Sequence, residues 1–332
     1  MRASARESNP ASFSVIVVNY NGGSMLASCV ESVLHAGVPA GQIVVVDNGS
    51  TDSSLDGVSV KASGLSIIRM GCNAGFACAV NQGLRTVQTQ YALLLNNDAT
   101  LSRSVLGAFA NSFSELPLAA ILGARLLHAD GTLQNSVAPF PRLVGEILPR
   151  PWHRLARWGK LGGRPTGTER LMVESVIGAC IAVRMSAAAE IGMLDEDFFF
   201  YLEETEWCHR AWRKGWQVWH VPSAAVEHLQ GKTANSFRTG ARIEFQRSKL
   251  TYYRKVGGTE RWFAALSILV IKAGINAIVN LAATILTFFL SPKLRQRSSG
   301  YLTILAWYIR GMPATWGLPE KCQNVITTKK AS

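Results

Sequence analysis

The sequence predicts an α/β fold in which a largely parallel sheet is covered by helices on both faces. Two observations lead there. Short, continuous runs of Val, Ile and Leu alternate with segments of helical periodicity, and each early run ends in a polar cluster. Such clusters fall at the carboxyl edge of the strands, where open α/β sheets bind ligands. With 48% apolar and 17% charged residues, the 332-residue chain is no disordered protein, and its length excludes a disulfide-stapled mini-fold.

The elements follow in order. A polar tail, residues 1–12, leads into the β-branched run Phe13–Val18, read as a buried strand that stops at Asn19-Tyr20-Asn21-Gly22-Gly23. The tail shows no signal-peptide pattern, so a reduced, cytosolic domain is expected. Ser24 to Ala36 carries Met25, Leu26, Cys29, Val30, Val33 and Leu34 on one helical face. Gln42–Val46 is a second strand, ended by Asp47-Asn48-Gly49-Ser50-Thr51-Asp52. A strand over Leu65–Met70, a helix over Ala77–Val87 and a strand over Tyr91–Leu95 complete the rhythm. Further on, Ile121–Leu127 and Thr132–Val137 flank Asp130-Gly131 as a hairpin would. Pro139–Gly167 reads as a long rim loop rich in Pro, Gly and Arg. Ser175–Val183 is a strand, Met185–Ile191 a helix, Glu203–Lys214 a helix stopped by Gly215, and Trp216–Val221 a strand.

Charge is divided along the chain. From residue 231 onward there are 16 Lys and Arg against 3 Asp and Glu, whereas the first 230 residues carry 18 against 19. Basicity beside apolar sequence suggests an anionic membrane surface. Nucleic acid is not an expected partner, since no RNA- or DNA-binding motif accompanies the charge. The six cysteines, 29, 72, 78, 180, 208 and 322, form no CxxC pair and no zinc-like spacing, so all six are expected as scattered buried thiols.

Several clusters could carry chemistry, each with a plainer alternative. Taken alone, Asp47 and Asp52 read first as caps of the following turn or helix, ahead of Asp47 accepting a nucleobase N–H. Leu93–Leu95 delivers Asn96-Asn97-Asp98 to the same edge, where Asp98 suits a hard divalent cation or, equally, the cap of a helix starting near Ala99. Gly75 opens a helix within Asn73–Gly83 and would let backbone N–H groups approach an anion, though the stretch is no Walker or dinucleotide fingerprint. Glu203, Glu204 and Glu206 crowd one first helical turn, where the dipole tolerates them or where one becomes a base. His228 stands alone after a short strand.

Taken in order, SVIVVNYN (14–21), VVVDNGSTD (44–52), NAGFACAVNQG (73–83), LLLNND (93–98), GACIAVR (178–184), FFFYLEETEWCHRAWRKG (198–215) and VEHLQGKT (226–233) resemble family 2 glycosyltransferases, most of all the bacterial rhamnosyltransferase-like branch. The resemblance spans about 13–257. It implies a GT-A fold with a Rossmann-like mixed sheet, and an inverting transfer of sugar from a nucleoside diphosphate donor with Mg²⁺ or Mn²⁺. By that resemblance Asn19, Tyr20, Asp47 and Asn48 hold the nucleoside, and Asn73, Gly75 and Asn81 line the donor site. Asn96-Asn97-Asp98 stands for the DxD-type motif with Asp98 on the metal, joined by His228. Gly178 and Cys180 face the acceptor, and Arg210 touches the donor phosphates. The family's Glu-Asp pair falls on Glu203-Glu204, making Glu204 the implied base with Glu203 as the other candidate. Rhamnose from dTDP-rhamnose is the leading donor; UDP-GlcNAc, UDP-galactose, GDP-mannose or a non-catalytic scaffold are the alternatives.

Residues 258–332 are expected as membrane-associating helices. Phe263–Leu290 holds a single charge, Lys272, and is long enough to span a bilayer. Lys272, Asn276, Asn280 and Thr284 nevertheless recur every fourth residue, and basic residues flank both ends. Both features favour a helix lying in the interface on the cytoplasmic face, peripheral or monotopic, over a single span. Tyr301–Met312, with Trp307 and Tyr308, reads as a second interfacial anchor, and a dimer interface is the alternative for the whole segment. Membrane docking suggests a polyprenyl-linked or envelope glycan acceptor, with the Arg-rich 142–170 loop near its phosphates.

Overall fold

The structure is a computed structural model that describes residues 10–61, 64–148, 165–229, 238–318 and 321–322. Strands β1 (Phe13–Asn19), β2 (Ile43–Asp47), β3 (Ser66–Arg69) and β4 (Tyr91–Asn96) pair in parallel in the order β3-β2-β1-β4, with helices α1 (Ser24–His35), α2 (Ser54–Lys61) and α3 (Phe76–Leu84) between them. β1, β2 and β4 are almost wholly buried, as continuous apolar runs in a two-faced sheet must be. Two apolar clusters form the core, one on either face of the sheet: Val15, Val17, Leu26 and Phe109 in one, Ile16, Val46, Leu84 and Trp207 in the other.

The sheet is mixed rather than parallel beyond β4. After β5 (Ala99–Thr100) and α4 (Arg103–Glu115) come β6 (Ala119–Leu127), β7 (Val137–Ala138), α5 (Leu143–Ile147), β8 (Leu171–Met172), β9 (Ser175–Val176) and β10 (Cys180–Arg184). β10 inserts antiparallel between β4 and β6. The chain continues through α6 (Met185–Ile191) and α7 (Glu203–Arg213) to β11 (Gln217–His228), which runs parallel to β6 and antiparallel to β5 and β8. An irregularity between Val221 and Ala225 breaks the β6–β11 register and lets one strand continue to His228, well past the expected end at Val221.

Two expectations change here. The hairpin after β6 closes only at a Leu127–Leu133 bridge; the chain then leaves, and β7 pairs with β9 instead. Side chains replace the missing ladder, since Ser136 Oγ accepts the Leu126 N–H. The run Ser175–Val183 is two strands, β9 and β10, separated at Ile177–Ala179.

The C-terminal third is helical: α8 (Arg238–Leu286) and α9 (Pro292–Ile309). α8 is two arms, because Gly258 leaves the helical region at φ 70°, ψ −168°. Its second arm is apolar and largely exposed, and α8 is the one helix among the described residues long and apolar enough to cross a membrane. The polar stripe is satisfied internally: Asn276, Asn280 and Thr284 each bond the carbonyl four residues back, and Lys272 Nζ bonds the Glu146 carbonyl at 2.8 Å. Trp307 and Tyr308 are not interfacial anchors. They are buried with Phe198, Tyr252, Tyr253 and Leu269, joining both arms and α9 to the sheet domain.

The cysteines also depart from expectation. Cys72 and Cys322 are joined as a disulfide, with Cα atoms 5.4 Å apart, while Cys29, Cys180 and Cys208 are buried free thiols and Cys78 is half-buried. The chain returns to the loop after β3, where the Cys322 N–H bonds the Asn73 carbonyl at 2.9 Å. A separation of 250 residues leaves no local spacing to read.

Candidate active site

The parallel register brings the chemistry to one edge. Asn19 pairs with Asp47 across β1–β2, and Val18 with Asn96 across β1–β4, so three strands end level. Asn19 is buried and acts as a hub. Its Nδ2 donates to Ser54 Oγ (2.8 Å), Ser50 Oγ (2.9 Å) and, at 3.3 Å, to Asp47 Oδ1, while its Oδ1 accepts from Asn97 Nδ2 at 2.9 Å. Half-buried Tyr20 follows at the edge itself. Asn21 Oδ1 accepts the Thr51 N–H at 2.8 Å, stapling the loop after β1 to the loop after β2. Asn21, Ser50 and Ser54 escaped the sequence reading because their partners lie about thirty residues away.

Asp98 and His228 meet. The β5–β11 pairing sets Ala99 opposite His228, and Asp98 Oδ1 lies 3.2 Å from His228 Nε2. Gln134 fixes the ring. Its Nε2 donates to the carbonyls of His228 and Leu127, so its Oε1, 3.0 Å from His228 Nδ1, is the acceptor and Nδ1 carries the proton. In the neutral ring Nε2 then presents a lone pair towards a carboxylate, with only Asn96 Nδ2 at 3.4 Å as a weak donor. That arrangement calls for a cation or a second proton between the two. Among the described residues no group of three or more His, Cys, Asp or Glu forms a cage. Asp98 and His228 therefore fit as two ligands of a divalent cation whose remaining oxygens come from elsewhere. Gln134, 94 residues from His228, carried no signal in the sequence.

Helix α7 brings the carboxyls. Glu203 is buried, its Oε2 has no hydrogen-bond partner, and burial beside Glu204 raises its pKa well above the ordinary range. Glu204 is half-buried, and burial pushes it up to about 7. A Cβ built on Gly178 would lie 3.9 Å from the Glu204 carboxyl carbon, so Glu204 faces the turn leading into β10 at the same sheet edge. The residues just before, Tyr201 and Leu202, both sit at positive φ, 75° and 67°. For bulky side chains this costs on the order of 1–2 kcal/mol each, a strain that the sequence does not announce.

Several expected ligand contacts are replaced by internal ones. Asn48 donates to Asn73 Oδ1 at 3.0 Å and accepts the Ala74 N–H, and Asn73 Oδ1 also accepts the Gly75 N–H, so these two amides hold the loop rather than point outward. Gly75, at φ 95°, lies under the aromatic segment: a Cβ there would sit 2.7 Å from the Phe199 carbonyl. The next amide, Phe76 N–H, donates to that carbonyl at 2.7 Å instead of reaching an anion. Asn81 is buried and clamps Leu194 through both its amide groups, with a further bond to Glu196. Arg210 is engaged by Glu206 and by the carbonyls of Ile191 and Met193, which removes it from the donor phosphates. Cys180 is fully buried in β10 against Leu95, and burial raises its thiol pKa, so it does not face an acceptor. Of the rim loop, residues 149–164 lie outside the described residues, while Arg142 pairs with Glu174 and Arg170 with Glu115.

A mixed sheet with its polar residues at the carboxyl edge, an Asp–His pair and a high-pKa carboxyl facing the same edge together make an α/β transferase-type site. The sequence model "Glycosyl transferase family 2" matches residues 14–192, and the chain belongs to that family. It is 27% identical over 236 residues to the N-acetylglucosaminyl-diphospho-decaprenol L-rhamnosyltransferase of Mycobacterium tuberculosis, covering 64% of this chain and 75% of that one. It is 25% identical over 241 residues to the low-salt glycan biosynthesis hexosyltransferase Agl10 of Haloferax volcanii, covering 69% and 71%. Among solved structures, GalNAc-T7 with UDP, GalNAc and Mn²⁺ matches with a TM-score of 0.52 at 18% identity, over 72% of this chain and 47%, about half, of that one. The mannosyltransferase PcManGT of Pyrobaculum calidifontis with GDP-Man and Mn²⁺ matches with a TM-score of 0.50 at 14% identity, over 92% and 89%. The fold is GT-A, and the protein is a glycosyltransferase.

Proposed function

We propose that this glycosyltransferase is inverting and moves rhamnose from dTDP-rhamnose to a lipid-linked or cell-envelope glycan acceptor at the cytoplasmic face of the membrane. The observation that carries this reading is the half-buried Glu204 carboxyl, raised to about 7, at the same sheet edge as the Asp98–His228 pair. Glu204 takes the proton of the acceptor hydroxyl as that oxygen attacks the sugar C1. Burial and the neighbouring Glu204 carboxyl raise the Glu203 pKa, which disfavours a second negative charge beside the base. The Asn19 hub and Asp47 hold the nucleoside end, and Asp98 and His228 orient the diphosphate. Mg²⁺ or Mn²⁺ bound by that pair supplies neutralisation of the charge developing on the leaving diphosphate. The Mycobacterium tuberculosis relative's name, with rhamnose transferred to a diphospho-decaprenol-linked sugar, supports both the donor sugar and the acceptor class.

The working division is a transferase unit over 13–257 and a membrane-associating segment over 258–332. The exposed apolar arm of α8 and the net positive charge beyond residue 231 support it. Thermal shift with dTDP, UDP and GDP, each with and without Mn²⁺, tests the donor. A nucleotide at about 100 times its Kd stabilises by roughly 2.7 kcal/mol. A metal-dependent shift with dTDP alone, absent in Asp98→Ala, is expected. A shift confined to UDP or GDP would overturn the donor, and no shift with any nucleotide would overturn the donor-site assignment.

A further inference from the structure

Between the second arm of α8 and α9 runs a groove of about 560 Å³. Leu281, Phe289, Leu302, Ala306 and Trp316 give it a mainly apolar lining interspersed with Ser and Thr side chains, and Arg295 and Arg310 complete it. These arginines are fifteen residues apart on or just beyond α9, about 22 Å along the helix axis at 1.5 Å per residue. Both are exposed, and among the described residues neither has a carboxylate partner. Arg310 instead lies over the Trp316 ring at 5.3 Å, which leaves the edge of its guanidinium open to a planar or tetrahedral anion.

The two ends of the groove differ. The Arg295 end opens beside the α8–α9 turn, where Phe288 is 82% and Leu290 81% exposed, an apolar tip suited to a bilayer. The Arg310 end abuts the catalytic domain: Trp316 accepts from Arg247 at 2.7 Å, and the adjacent Ser248 Oγ donates to the Phe200 carbonyl at 2.7 Å, three residues before Glu203. A mainly apolar groove with an exposed apolar tip at one end, and at the other a guanidinium without a carboxylate partner among the described residues, matches a long-chain lipid carrying a phosphate group. We propose that this groove seats the isoprenoid chain of the lipid-linked acceptor, with Arg310 on its phosphate. The proposal rests on the acceptor class put forward above and assigns that acceptor's chain to a place.

The test uses the full-length protein in mild detergent and geranylgeranyl diphosphate below its micelle concentration, with binding read by calorimetry. Inorganic diphosphate, geranylgeraniol and dihexanoyl phosphatidylglycerol serve as phosphate-only, chain-only and bulk-lipid probes. Leu302→Trp fills the groove from an exposed position, and Arg310→Gln removes the charge, so neither touches the buried core. Each is expected to weaken geranylgeranyl diphosphate at least tenfold, with Lys293→Gln on the same helix unchanged. In turnover, both variants should raise KM for a polyprenyl-linked acceptor and leave a water-soluble acceptor unaffected. No binding by the wild type, equal binding by all variants, or equally tight binding of dihexanoyl phosphatidylglycerol would each overturn the proposal. Nucleotide-induced thermal shift, measured on the same samples, reports separately on the transferase reading.

Discussion

Replacing Glu204 by Gln keeps the shape of the side chain and removes a carboxyl able to accept a proton near neutral pH. Turnover should fall by about 10²–10⁴-fold, the usual contribution of a positioned base, while nucleotide affinity stays unchanged. The wild-type rate should rise about tenfold per pH unit up to about 7 and then level, since the carboxyl must be ionised to act. Stability carries an independent signature. The folded state holds the Glu204 proton more tightly than the unfolded chain, because burial opposes the charge; the pKa moves from 4.5 to about 7. The stability this gives is therefore fully present below pH 4.5, declines as pH rises through about 7, and is absent above it. A carboxyl displaced that far amounts to at most about 3 kcal/mol. Glu204→Gln, neutral throughout, should match wild type at pH 4.5 and exceed it by up to that amount at pH 8. Denaturant melts at several pH values and a coupled nucleotide-release assay measure both effects. Retained turnover, or parallel stability curves for the two proteins, would refute the assignment.

Gln134→Ala frees the His228 ring and should weaken Mn²⁺ affinity 10–100-fold, read as a rightward shift of the metal dependence of nucleotide-induced stabilisation. Substituting Ser at Phe288, Phe289 and Leu290 together should abolish sedimentation with phosphatidylglycerol vesicles and leave nucleotide binding intact, because each apolar side chain contributes about 1.5–3 kcal/mol when buried. Cys322→Ser should destabilise the oxidised protein by about 5 kcal/mol on the chain-entropy account of a 250-residue loop, with no difference from wild type under reductant.

The sheet edge was legible because its signals are local. Asn19, Asp47 and Asp98 each follow an apolar run, and parallel pairing brings such positions level without further information. The pairing of His228 with Asp98 was legible only through family resemblance, since β11 passes the expected strand end by way of an irregularity that places it beside β5. The residues that turned inward, Asn73, Asn81 and Arg210, could not have been told from ligand-facing ones. An amide that clamps Leu194 from 113 positions away looks the same in sequence as one that binds a sugar. The Cys72–Cys322 link and the Gln134–His228 bond are hidden for the same reason: both join segments whose approach depends on the completed fold. Helical periodicity, by contrast, revealed the polar stripe of α8 but not its satisfaction, which comes from the helix's own carbonyls and from Glu146.

The C-terminal helices do more than supply an apolar surface. Two consecutive bulky residues at positive φ, Tyr201 and Leu202, set the direction from which α7 presents Glu203 and Glu204, and such a backbone persists only where its surroundings hold it. Those surroundings come largely from beyond residue 238. Ser248 takes the Phe200 carbonyl, Phe245 packs edge-on against Tyr201 with ring centroids 5.5 Å apart, and Phe198 is buried among Ile243, Leu250 and Trp307. Lys255 reaches both Asp195 and Asp197 on the approach to the same segment. On the other side, Gly75 and Phe76 of the donor half press on Phe199. The aromatic run is thus gripped between the donor loop and the first arm of α8. The turn that carries Glu203 and Glu204 is therefore held by packing continuous with the same helices whose far ends are exposed and apolar.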